Sequence, residues 1–216
     1  MTNVKNRLKK FLYLDWIPLI KNKTKIAISI LLLCIALCVF IKDRILANMI
    51  CLIAMFLCTL GDVSLNCVPL HKRPRSFMYA GAAFFMIAHI AYAISYRILI
   101  GNASYINTGS ILATIFIGLC FLMALACIIL SKSKDSLGIV MILFFGLYII
   151  IIGINFITIC SYSYIYNTVS WIGALFFLIS DFIIGLETVF KLQKPILRKL
   201  VWIFYPLGQL LIITCH

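Results

Sequence analysis

Two carboxylates in this chain sit where carboxylates are expensive. Asp62 closes the apolar run Leu57-Cys58-Thr59-Leu60-Gly61-Asp62, and Asp181 lies within Leu175-Phe176-Phe177-Leu178-Ile179-Ser180-Asp181-Phe182-Ile183-Ile184. The chain has six acidic residues, and the other four stand at or outside the ends of such runs. An ionisable group in hydrocarbon costs roughly 2.5–3.5 kcal/mol on insertion scales, so it is usually paired, hydrated or functional. Two carboxylates in one partly dehydrated pocket suit acid–base chemistry, because desolvation and like charge let one hold a proton while the other stays ionised. The same pair could bind a cation or relay a proton, and residue type alone leaves these readings open.

Other polar groups are spaced to join them. Gly81, Phe85, His89 and Tyr92 fall at i, i+4, i+8 and i+11, which is one face of a helix. Glycine permits close helix approach, so this face is expected to look into a bundle. Tyr205 and Gln209 are i, i+4 neighbours, and Ser180 precedes Asp181. Each also has a plain structural reading. His89 and Gln209 could simply bond between helices, Tyr92 and Tyr205 could pack, and Glu187 suits an interfacial pair with a nearby lysine. There is no phosphate loop, H-E-x-x-H, G-x-S-x-G or Cys/His zinc spacing, so no metal is expected.

Spanning helices must position these groups. The 216 residues are 64% hydrophobic, against about 45–50% in ordinary soluble domains, and the mean hydropathy is +1.14. The nine cysteines include no C-x-x-C and lie mostly in apolar runs, which reads as buried structural thiols. The net charge of +13 is not a nucleic-acid footprint, because the basic residues gather in loops between apolar runs.

A span needs about 20 apolar residues. Seven are expected, at about 25–41, 45–66, 76–97, 109–130, 137–159, 168–190 and 196–214. The runs are continuously apolar rather than alternating, so they are helices and not barrel strands. The reading is an all-α polytopic transmembrane bundle. Residues 1–24 form a basic segment in which Phe11 to Ile20 is too short to span and suits an interfacial anchor; residues 25–216 form a single transmembrane domain.

With the N-terminus inside, 16 of the 19 Lys and Arg residues fall in inner segments, leaving Lys42, Arg44 and Arg97 outside. That bias predicts N-in, C-out. At 1.5 Å per residue, Asp62 is near the inner end of span 2 and Asp181 roughly 13 Å deep in span 6. His89 is near the middle of span 3, whereas Asn155 falls in the outer half.

The Gly61-Asp62 pair, the Gly81/Phe85/His89/Tyr92 stripe, Ser180-Asp181 and Tyr205-Pro206-Leu207-Gly208-Gln209 occur in an order that resembles the YhhN-like lysoplasmalogenase family over about residues 25–214. Family members usually carry eight spans; here the first is missing or reduced to residues 11–20. The resemblance implies a membrane hydrolase that opens the vinyl ether of a lysoplasmalogen, releasing a fatty aldehyde and glycerophosphoethanolamine or glycerophosphocholine, with no metal or organic cofactor. It implies Asp62, Asp181 and His89 as catalytic residues, with Tyr92, Ser180, Tyr205 and Gln209 facing the lysophospholipid. The basic residues Lys72, Arg73, Arg75, Arg198 and Lys199 could hold its phosphate, although the inside-positive bias explains them without function. The rivals are a small transporter using the same carboxylates, and a hydrolase of another ether or ester lipid. The Ile/Lys/Asn-rich composition favours a bacterial inner membrane over the endoplasmic reticulum.

Overall fold

A computed structural model describes residues 22–67, 75–130, 139–189 and 194–215. The interfacial anchor and the basic residues Lys72 and Arg73 lie outside them. The described residues are helical in seven segments: α1 Asn22–Lys42, α2 Leu46–Asn66, α3 Arg75–Ile100, α4 Thr108–Leu130, α5 Ile139–Tyr166, α6 Ser170–Val189 and α7 Pro195–Thr214. The expected spans and observed helices agree to within four residues except at the end of α5, which runs seven residues further. The continuation Cys160-Ser161-Tyr162-Ser163 is only mildly polar. Its hydroxyls find partners inside the bundle, Ser161 with Asn107 and Ser163 with Ser170, so the helix has no reason to stop. Asn155 therefore lies eleven residues from the helix end rather than four.

Five helices are long and apolar enough to cross a membrane, and α4 and α6 contribute shorter apolar stretches, Thr108–Leu119 and Ser170–Gly185. The burial pattern is that of a helical membrane bundle. Large apolar side chains such as Leu31, Phe56, Ile94, Ile115 and Ile150 point outwards, while Ser29, Asp62, His89, Asn155, Asp181 and Gln209 are buried. In lipid the outer face needs no polar cover, and polar groups bond one another inside.

Helix packing closes a ring in the order α1, α2, α3, α5, α6, α7 and back to α1, with α4 outside it against α5. Side chains of α3 cross the ring to α7: Tyr92 reaches Gln209, and Tyr96 donates to the Ile212 carbonyl at 2.8 Å. The α3 stripe faces this interior, with Phe85, His89 and Tyr92 all at most 5% exposed. Helices α6 and α7 meet through glycine, since a Cβ on Gly208 would stand 2.8 Å from both the Gly173 carbonyl and the Phe177 nitrogen. The thiol reading needs correction. Cys51 and Cys58 are buried, but Cys34, Cys38 and Cys67 are exposed. On α1 the thiols act as small apolar groups on an outward face.

Candidate functional site

Asp62 and Asp181 each end in a separate cluster of partners. Helix α2 carries Asp62 inwards beside Gly61, where the missing side chain lets Phe85 of α3 close against the backbone. Asp62 Oδ2 lies 2.5 Å from Ser29 Oγ of α1 and 2.6 Å from the Tyr205 hydroxyl of α7. Ser29 Oγ is also 3.2 Å from the Lys25 carbonyl. One hydroxyl proton cannot serve both acceptors. When it goes to the carbonyl, Ser29 Oγ can accept a proton held by Asp62.

Asp181 has different company. Its Oδ2 accepts from His89 Nε2 at 2.9 Å and from the Tyr148 hydroxyl of α5 at 3.1 Å. On the other side of the ring, His89 Nδ1 lies 2.9 Å from Asn155 Nδ2. An amide nitrogen only donates, so Nδ1 is the bare nitrogen and Nε2–H points at Asp181. The reverse amide orientation would leave two buried N–H donors unmatched. As it stands, one buried atom of this cluster is left over: Asn155 Oδ1 has no partner among the described residues. An unsatisfied buried acceptor costs about 1–3 kcal/mol, so a donor at this position would be strongly favoured.

Aromatic rings fill the space between the clusters. Phe177 stacks at a tilt on His89, with ring centres 4.4 Å apart, and meets Tyr205 edge-on at 5.6 Å. Phe85 approaches Tyr205 at 6.0 Å. The carboxylates are thus linked through Tyr205, Phe177 and His89, and no hydrogen bond joins them directly among the described residues.

The remaining candidates sort by what their polar atoms touch. Tyr92 donates to Gln209 Oε1 at 2.7 Å, and Gln209 Nε2 lies 3.2 Å from Cys58 Sγ, tying α3, α7 and α2 together one layer above Tyr205. Ser180 is buried but donates to the Phe177 carbonyl of its own helix at 2.7 Å. Glu187 pairs with Arg198 at 3.7 Å, an arginine where a lysine is expected. Three partners escaped the sequence reading. Ser29 and Tyr148 carry no signal beyond a lone hydroxyl in an aliphatic run. Asn155 was visible as a polar residue in the outer half of its span, but nothing in the sequence set it against His89.

A groove of about 560 Å³ opens elsewhere, between α4, α5 and α6. It is lined by residues such as Leu112, Phe116, Phe156 and Trp171, lies near the α5–α6 connection, and contains none of the candidates.

No curated protein and no solved structure matches the chain. The family comparison does match, over residues 21–215, which takes in all seven helices and both carboxylate clusters. The chain therefore belongs to the YhhN family.

Proposed function

We propose that this YhhN-family protein hydrolyses the vinyl ether of lysoplasmalogens, with Asp62 as the acid and Asp181 as the base. The observation that carries the reading is the asymmetry of their partners. Asp181 faces the ring N–H of His89 and the Tyr148 hydroxyl, partners that suit a base receiving a proton from water. Asp62 Oδ2 has two hydroxyl partners, Ser29 and Tyr205, and of these Ser29 can instead accept by turning its own proton to the Lys25 carbonyl. That arrangement accommodates a protonated carboxyl group.

The chemistry then balances without a cofactor. Asp62 delivers its proton to the outer alkenyl carbon, and the C=C pair forms the new C–H bond. The inner carbon becomes an oxocarbenium ion, whose charge is spread next to the Phe85 and Phe177 rings. Water adds to that carbon while Asp181, positioned by His89 and Tyr148, takes one of its protons. The unpaired Asn155 Oδ1 can accept the other water hydrogen. The hemiacetal collapses as its hydroxyl proton leaves and the glycerol oxygen gains one, giving aldehyde and alcohol. One water is consumed, and Asp62 recovers its proton from the exchangeable pool. The division of labour resembles that of the two carboxylates in glycoside hydrolysis.

Purified protein is expected to release fatty aldehyde from 1-alkenyl lysophospholipid, and to leave the 1-alkyl and 1-acyl analogues intact, because only the alkenyl ether can be opened by carbon protonation. Absence of aldehyde, or equal cleavage of the acyl ester, would refute this assignment.

A further inference from the structure

The end of the bundle nearest Asp62 carries charged side chains that the hydrolytic chemistry does not use. Lys25 Nζ of α1 sits 5.0 Å over the Trp202 ring of α7. Trp202 packs edge-on against Tyr205 at 5.7 Å, Tyr205 reaches Asp62, and Asp62 reaches Ser29, which returns to the Lys25 carbonyl. These contacts form a closed ring of side chains with the buried carboxylate at its base and a lysine at its rim. One helical turn before Trp202 stands Arg198, 34% exposed, and beside it Glu187 of α6, 21% exposed. Glu187 Oε1 faces Arg198 Nε at 3.7 Å, yet this buried oxygen has no hydrogen-bond partner among the described residues. Lys25 is close enough to act electrostatically on both Asp62 and Glu187.

The inside-positive bias explains why Lys25 and Arg198 exist. It does not require them to be gathered with an under-bonded carboxylate above a buried acid. Two cations and one anion around a tryptophan complement a zwitterion, in which a phosphate monoanion is separated from an ammonium by a two-carbon link. The depth also fits. Lys25 and Ser29 are one turn apart, about 6 Å along the axis. The glycerol carbons of a lysophospholipid bridge a similar distance between the phosphate and the sn-1 oxygen.

We infer that Lys25, Arg198, Trp202 and Glu187 form a headgroup subsite for a zwitterionic phosphoester. The cations bind the phosphate, and Glu187 accepts hydrogen bonds from the ammonium of a phosphoethanolamine. This deepens the lipid-hydrolase reading and rests on it only for the supposition that the ligand's tail points towards Asp62.

Binding can be separated from turnover with 1-alkyl lysophosphatidylethanolamine, a saturated ether that carbon protonation cannot open. Trp202 fluorescence, in a Trp16→Phe, Trp171→Phe background in detergent, reports its binding. Lys25→Gln and Arg198→Gln are each expected to weaken binding about five- to tenfold, while leaving the affinity for 1-alkylglycerol, which lacks the phosphate, unchanged. Glu187→Gln is expected to weaken the ethanolamine lipid but not 1-alkylglycerol phosphate. Unchanged affinities, or equal losses for 1-alkylglycerol, would overturn the subsite. Free phosphoethanolamine binding as tightly as the lipid would overturn its assignment to a lipid. If wild-type protein binds as expected but never yields aldehyde from the alkenyl lipid, the subsite stands and the hydrolase reading fails.

Discussion

Replacing Asp62 by Asn keeps the shape of the side chain and removes the proton it would deliver. Asp62→Asn and Asp181→Asn are each expected to lower kcat about 10²- to 10⁴-fold with helical content unchanged, measured by aldehyde release and circular dichroism. Normal turnover by both would refute the roles. Asn155 makes a sharper test, because it acts through His89. Asn155→Leu removes the donor that keeps Nδ1 bare. Asn155→Asp is nearly isosteric, but its carboxylate can only accept from Nδ1–H, which competes with the Nε2–H donation to Asp181. The aspartate variant is therefore expected to be the less active of the two, by on the order of tenfold in kcat with little change in KM. A purely structural role would predict the opposite ranking, since Leu is the greater change of shape and polarity. Two of these residues were legible in the sequence because hydrocarbon makes an acid conspicuous. Ser29 and Tyr148 were not, because one hydroxyl in an apolar span costs little and marks nothing.

The helices deliver these groups through close backbone approach at a few glycines. At Gly208 any side chain would press on the Gly173 carbonyl and the Phe177 nitrogen, both of them backbone atoms that cannot rotate aside. Gly208→Val must part α6 from α7 and pull Tyr205, three residues earlier on α7, away from Asp62. It is expected to cost about 1–3 kcal/mol and to depress activity with it, read as a lower Tm in detergent and slower turnover. Gly118 on α4 is the control. Nothing lies within 4 Å of a Cβ there, so Gly118→Ala is expected to be neutral or to stabilise by up to about 1 kcal/mol. The element count and type were readable because each run is apolar over a full span. The end of α5 was not, because its last two turns mix serine and tyrosine with isoleucine and look like loop until their partners are known.

At the scale of the molecule, α1, α2, α3, α5, α6 and α7 make a ring whose outside is oily and whose inside is polar. The charge bias predicts that the Lys25 and Arg198 end of that ring faces the inner side of the membrane. A reporter active only outside the membrane is expected to be active when fused after residue 214 and silent when inserted between residues 131 and 138. The reverse pattern would invert the topology and put the headgroup subsite on the opposite leaflet. A silent fusion at both places would mean an odd span has been miscounted.

Composition and pattern alone determined that this is a multi-span helical membrane protein and which acids are out of place in it, and the order of its motifs resembled the YhhN family. Those properties are local, since apolar run length sets a span and a charge in hydrocarbon stands out from its neighbours in the chain. The tertiary structure decided which partner each acid has. Asp62 meets residues 33 and 143 positions away, and Asp181 meets one 92 positions away. These distances are set by how seven helices close around a common interior. The difference between an acid held by two hydroxyls, Ser29 and Tyr205, and an acid held by a histidine and a tyrosine therefore emerges only when the ring is closed.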